Sequence, residues 1–253
     1  MANYDQERLQ QSRLGASADM SVDQGLRSYM LSVYNYMAGA LALTGLVAYF
    51  AYAAAVQSVT GEGIMLTGFG DALYNSPLKW VVMLAPLAFI LVLSFGVHKL
   101  SLATTQLLFW AFAAVMGLSL SSIFLVFTGQ SITTTFFVTA AAFGSLSLYG
   151  YTTKRDLTGM GSFLFMGLIG IIIAMVVNIF LQSSALQFAI SVLGVLIFAG
   201  LTAYDTQRIK GMYYEGDSVA AAGKKAVMGA LSLYLDFINM FMFLLQFMGS
   251  QRG

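Results

Sequence analysis

The chain has no cysteine, which excludes disulfides and thiolate-held metals. It has one histidine, His98, and zinc sites usually combine several imidazole or thiolate ligands, so zinc is not expected. Charge is scarce: Asp, Glu, Lys and Arg make up 9% of the 253 residues, against about 25% in soluble domains. The net charge of +1 gives no electrostatic reason to expect a nucleic-acid partner. Apolar residues fill the space instead, at 58% of the chain. A soluble fold of this length lacks the polar residues to cover so much apolar surface. An all-α membrane protein is expected, with the lipid bilayer as its first partner.

The few charges act as rulers. Segments 28–61, 80–97, 100–153 and 157–204 contain no Asp, Glu, Lys or Arg, and 226–251 contains only Asp236. A helix crosses a bilayer with roughly 20 apolar residues. The 54-residue stretch 100–153 therefore holds two helices, turning at Thr128-Gly129-Gln130-Ser131. Segment 157–204 holds two more, turning at Gln182-Ser183-Ser184. The expected spans are 29–55, 78–97, 103–127, 131–151, 160–181, 186–206 and 227–249, seven in all.

The basic residues agree with that count. With a cytoplasmic N-terminus, the inner segments carry Arg8, Arg13, Arg27, Lys99, Lys154, Arg155, Arg208, Lys210, Lys224 and Lys225, and the outer ones only Lys79 and Arg252. That bias is the positive-inside pattern. Residues 1–28 are polar and carry charges of both signs, so a disordered cytoplasmic tail is expected there, with the seven-helix transmembrane domain over 29–250. The first apolar run is too long for a secretory signal. Segment 61–77, Gly-rich and carrying Glu62 and Asp71, is the largest external segment expected.

A charged side chain inside a span is costly and must face protein or water. Two such residues stand out. Asp205, in Tyr204-Asp205-Thr206-Gln207, lies near the cytoplasmic end of the sixth span. Asp236, in Leu233-Tyr234-Leu235-Asp236-Phe237-Ile238-Asn239, lies within the seventh. Both helices approach the same membrane face there, so the carboxylates can meet. Counting residues puts Asp236 about 14 Å inside, deeper than Asp205, so contact calls for helix tilt or a break in the sixth helix.

Around the seventh helix, at 100° per residue, Ser232, Asp236, Asn239, Gln246 and Ser250 fall within about 40° of one another, with Phe243 on the same line. In a bundle centre such a stripe lines a wet path with an aromatic plug. The plainer reading is hydrogen bonding to neighbouring helices. His98 and Lys99, ending the second span, serve as interfacial anchors and can also bring a cation to the carboxylates.

Three segments together resemble the Bax inhibitor-1 family in its bacterial branch. They are Lys154-Arg155-Asp156-Leu157, Tyr204-Asp205-Thr206-Gln207 followed by Arg208-Ile209-Lys210, and Leu231-Ser232-Leu233-Tyr234-Leu235-Asp236-Phe237-Ile238-Asn239. The last is the most specific, and the order and spacing match from about residue 29 to 249. The resemblance implies a seven-transmembrane-helix bundle with the seventh helix central, surrounded by the other six. It also implies a pH-sensitive calcium leak governed by a carboxylate pair, onto which Asp205 and Asp236 map, and a place in the bacterial inner membrane.

A non-conducting regulator that binds a membrane protease or a stress-response partner is the alternative the family suggests. Two departures are visible. Family members can carry an arginine at the end of the second helix, where this chain has only His98 and Lys99, and the loop 208–226 looks long.

The chemistry of such a pair is simple. Two carboxylates close together in a low dielectric cannot both ionise cheaply, so they titrate as a unit. Doubly ionised, Asp205 and Asp236 offer the hard oxygen ligands that calcium prefers. Calcium and protons are thus the expected small partners, calcium as transported ion, and no resident cofactor is expected. Asn239, Phe243 and Gln246 are the expected pore or gate residues. An enzyme is not expected: intramembrane aspartyl proteases pair two Asp residues, but the Gly-x-Gly before the second and the Pro-Ala-Leu segment are both missing. A retinal protein needs a lysine in its last helix, which 227–249 lacks.

Overall fold

The computed structural model describes residues 2–60 and 63–252, with side chains described over 23–59 and 63–252. In chain order the elements are α1 (Ala2–Ala55), β1 (Val56–Thr60), β2 (Gly63–Leu66), α2 (Gly68–Tyr74), α3 (Leu78–Gly96), α4 (Leu102–Leu120), α5 (Ile123–Val126), α6 (Gly129–Thr152), α7 (Thr158–Leu181), α8 (Ser184–Gly211) and α9 (Val219–Met248). Seven stretches of these helices are long and apolar enough to cross a membrane: Asp23–Ala55, Leu78–Gly96, Leu102–Val126, Gly129–Thr152, Thr158–Leu181, Ser184–Gly211 and Val219–Met248. The protein is an integral, multi-pass, all-α membrane protein, as its composition requires.

The helices start where the sequence supplies a hydroxyl. Ser101, Thr128, Ser183 and Ser218 each accept a hydrogen bond from the backbone N–H three residues on, opening α4, α6, α8 and α9. This satisfies a donor that hydrocarbon would leave bare. The expected turns at Thr128 and at Gln182-Ser183 are therefore caps. Gln182 ends α7 in the left-handed conformation, at φ 47°.

Asp156 prepares α7 from outside the bilayer. Its Oδ1 accepts from the Thr158 N–H at 2.9 Å, and hydrogen bonding by Thr158, side chain first and backbone second, holds the carboxyl below its ordinary range. A carboxyl depressed in the folded state contributes stability at all pH above its unfolded value and loses it as pH falls through the folded value. Asp156→Ala is accordingly expected to speed amide exchange in the first turn of α7 at neutral pH. At strongly acid pH, where both proteins lack the carboxylate, the exchange rates converge.

Helix α9 is the most buried of the seven: 67% of its apolar window is inside the protein, against 11–33% for the others. It packs on α1, α4, α6 and α8. Of the other two spans, α3 packs on α4 and α7 packs on α8, and both reach a cavity beside α9, through Ile90 of α3 and Leu168 and Ile171 of α7. Apolar contact gives little net gain in lipid, so packing and buried hydrogen bonds hold the bundle. One such centre is Thr44, whose Oγ1 donates to the Ala113 carbonyl at 2.8 Å and lies 2.7 Å from the Tyr234 hydroxyl, tying α1, α4 and α9.

Two further expectations change. The segment between the first two spans holds a two-stranded antiparallel hairpin, β1–β2, and the short α2. The long loop 208–226 is mostly helix, because α8 continues to Gly211 and α9 begins at Val219. The residues between them are pinned by Lys225, whose Nζ meets Asp217 Oδ2 at 2.6 Å and donates to the Met212 carbonyl at 3.0 Å. Of the expected tail 1–28, Met1 and the side chains of 2–22 lie outside the described residues.

Candidate functional site

The Tyr204-to-Lys210 segment distributes its polar groups around the last turns of α8. Thr206 Oγ1 lies 2.9 Å from Ser147 Oγ on α6. Gln207 reaches the link between α6 and α7, accepting from the Leu157 N–H at 2.9 Å and donating to the Arg155 carbonyl at 2.7 Å. Lys210 Nζ donates to the Tyr151 carbonyl at 2.9 Å and lies 4.9 Å from that ring's centre. The 154–157 motif is therefore docked on this segment, which explains why the two occur together.

The remaining polar groups turn toward α9. Asp205 is 9% exposed and Asp236 5% exposed, and both line one cavity of about 770 Å³. Arg208 stands at that cavity too: its Nη2 lies 3.2 Å from Asp205 Oδ1 and donates to Ser232 Oγ on α9 at 3.1 Å. The Arg208–Ser232 bond sets Asp205 and Asp236 at one level. No break in α8 is needed, because α8 continues to Gly211 with Ile209 against Gly229, so that the earlier turns of α9 extend past the end of α8. Asp236 Oδ2 is buried without a hydrogen-bond partner among the described residues, an arrangement expensive to leave unmade.

The rest of the stripe divides. Ser232, Asn239 and Phe243 line the same cavity as Asp236. Asn239 donates its amide to the Leu235 carbonyl at 2.8 Å, which leaves its oxygen as the remaining acceptor. Phe243 stacks on Phe198 of α8, with ring centres 5.9 Å apart and planes at 27°. A Cβ at Gly194 would lie 2.6 Å from three atoms of the Phe243 ring, so glycine there is what lets the ring lie against α8.

Gln246 departs from the expected line. Its Oε1 accepts from Gln187 Nε2 at 2.9 Å, and Gln187 Oε1 in turn accepts from Asn178 Nδ2 at 3.0 Å. Gln246 thus belongs to an amide chain across α7, α8 and α9, beyond the aromatic pair. Ser250 is tied elsewhere, its N–H donating to Ser131 Oγ at 2.9 Å.

The second span brings no cation to the carboxylates. His98 lines a different cavity with Met212, Ser218 and Lys224, and Lys99 forms no ion pair among the described residues. The end of α3 meets the link between α8 and α9 instead, where Val97 and His98 share their cavity with Met212 and Ser218, while Ile90 higher on α3 lines the cavity of the carboxylates. The cation at Asp205 is instead Arg208, which residue counting had placed only among the inner charges. The three-residue spacing of Asp205 and Arg208 on one helix face was the signal for it.

Among the described residues no three His, Cys, Asp or Glu side chains cluster as a metal site. A calcium ion takes six to eight oxygens, so Asp205 and Asp236 would supply only part of a coordination shell.

Comparison with known proteins identifies the family. The family described as "Inhibitor of apoptosis-promoting Bax1" matches residues 26–253. An uncharacterized protein of Caulobacter vibrioides is 51% identical, covering 93% of this chain and 93% of its own length. The inner membrane protein YbhL of Escherichia coli K12 is 46% identical over 90% of this chain and 94% of its own. An uncharacterized protein of Deinococcus radiodurans is 39% identical over 95% and 97%. With one family matching nearly the whole membrane part, and relatives well above 30% identity along most of their length, the chain belongs to the Bax inhibitor-1 family.

Proposed function

We propose that this protein is a proton-regulated calcium leak of a bacterial inner membrane, with Asp205 and Asp236 as the sensor, α9 as the path, and Phe243 as the plug. The observation that carries the reading is the placement of two buried carboxylates from α8 and α9 in one cavity that ends at an aromatic stack. Arg208 supports it by joining the Asp205 carboxylate to α9 through Ser232, so a change of charge at the pair is also a change in how the two helices are tied. The test is calcium flux from liposomes holding the purified protein, followed from pH 5 to 9. Absence of flux at every pH would favour the non-conducting regulator that binds a membrane protease or a stress-response partner.

The sensor is proposed to face the cytoplasm. Seven spans put Arg27, Lys99, Lys154, Arg155, Arg208, Lys210, Lys224 and Lys225 toward one side and Lys79 and Arg252 toward the other, and the basic side is ordinarily the inner one. A cysteine introduced after Gly249 is expected to react with an impermeant maleimide in intact cells, whereas one at Ser218 reacts only after lysis. The opposite pattern would invert the orientation and turn the pair outward.

A further inference from the structure

We propose that the cleft between α1 and α6 is a site for one anionic phospholipid, with an acyl chain in the cleft and the phosphate on Arg27. The cleft measures about 640 Å³, within the roughly 300–1,000 Å³ typical of small-molecule sites. It exists because α1 and α6 each pack on α9 but do not pack closely along one another. The two helices are joined where Tyr34 meets Ser147 at 2.6 Å, and the space beside that bond stays open.

The walls suit hydrocarbon. Met30 and Tyr34 of α1 face Phe143 and Leu148 of α6. The hydroxyls of the floor are already satisfied, since Ser147 also bonds Thr206 at 2.9 Å. Gly144 forms part of the wall, and a Cβ built there meets nothing within 4 Å. A larger residue would therefore fill the cleft without disturbing the helices.

The rim suits an anion. Arg27 lines the cleft where the charge-free part of α1 begins, is exposed, and forms no ion pair among the described residues. Lys210 is close by, seated on Tyr151, which lines the same cleft. Cations at the mouth of an apolar slot, at the level where a span ends, are complementary to a lipid with a negative headgroup above its chains. A zwitterionic lipid fits the slot but gains less from the rim.

Native mass spectrometry of the full chain in neutral detergent tests this, with dioleoyl phosphatidylglycerol or dioleoyl phosphatidylcholine added. Wild type is expected to retain one phosphatidylglycerol with roughly tenfold preference over phosphatidylcholine, the scale that one or two basic residues give at an anionic surface. Arg27→Gln, an exposed change that leaves packing intact, should reduce phosphatidylglycerol to the phosphatidylcholine level. Gly144→Phe should lower retention of both lipids, with unchanged helical circular dichroism showing that the bundle persists. Arg155→Gln, outside the cleft, should change neither.

Equal retention of the two lipids by wild type overturns the proposal. So does a preference that survives Arg27→Gln, or one that Arg155→Gln removes as fully, which would mark general surface attraction. Displacement of the lipid by an equal concentration of inorganic phosphate would also overturn it, because the headgroup alone would then suffice.

Discussion

In liposomes, Asp205→Asn and Asp236→Asn are each expected to flatten the pH profile of calcium flux while leaving the helical bundle folded. Asparagine keeps nearly the volume of aspartate but cannot titrate. A carboxylate pair that governs conduction changes its protonation ratio roughly tenfold per pH unit near each of its two steps. Wild-type flux should therefore vary about tenfold or more between pH 5 and 9, and the variants less than about twofold. Arg208→Gln removes the cation at Asp205 and the bond to Ser232, so it should displace the midpoint of the profile, whereas Lys99→Ala should leave the midpoint where it is. If both Asn variants keep the wild-type profile, the sensor lies elsewhere. Retention of the thermal unfolding midpoint in detergent separates loss of sensing from loss of structure.

The second large effect is expected at the aromatic stack. Phe243→Ala should raise basal calcium leak by roughly tenfold or more, as removal of an apolar constriction allows water into the path. Truncating a buried phenylalanine also costs about 3–5 kcal/mol of packing, so stability alone does not discriminate. Phe198→Ala removes the other ring of the stack and should raise the leak too, while Phe112→Ala, a truncation of a ring buried against Tyr234, should destabilise without raising it. Gly194→Ala attacks the plug from beneath, because its new Cβ would press on the ring of Phe243. A leak equal to wild type in both Phe243→Ala and Phe198→Ala would make the stack ordinary packing.

Much of this molecule was legible in its residues because the bilayer allows few solutions. Runs free of charge marked the spans, and the hydroxyl residues between them proved to be helix caps. Asp205 and Asp236 were visible as candidates because ionisable side chains are so rare in such segments. Their relative height was not legible. The first turns of α9, Ala220-Ala221-Ala222-Gly223-Lys224-Lys225, are too polar to read as membrane and were assigned to a loop, though alanine favours helix strongly. That misplaced boundary produced the apparent long loop, and the unseen continuation of α8 to Gly211, beside Gly229 of α9, produced the apparent depth mismatch.

The division of the α9 stripe was hidden for a different reason. Periodicity shows which residues share a face of one helix, but Gln246 is held by Gln187 of α8, which is bonded in turn to Asn178 of α7. The same limit applies to His98, which the fold sets in a separate cavity with Met212 and Ser218. The hairpin at 56–66 was missed because four or five residues of strand carry too little pattern to stand out beside a span.

The burial of α9 also bears on how the protein is made. The helix that α1, α4, α6 and α8 share as a packing partner is the last of the seven in chain order. While the ribosome is still at work, the earlier spans have been released into the lipid without the element that closes them, and Thr44 and Ser131 wait for Tyr234 and Ser250. Closure of this bundle therefore waits for the synthesis of α9. A ribosome that stalls before α9 leaves six helices with an open seam, the kind of surface that membrane quality control recognises.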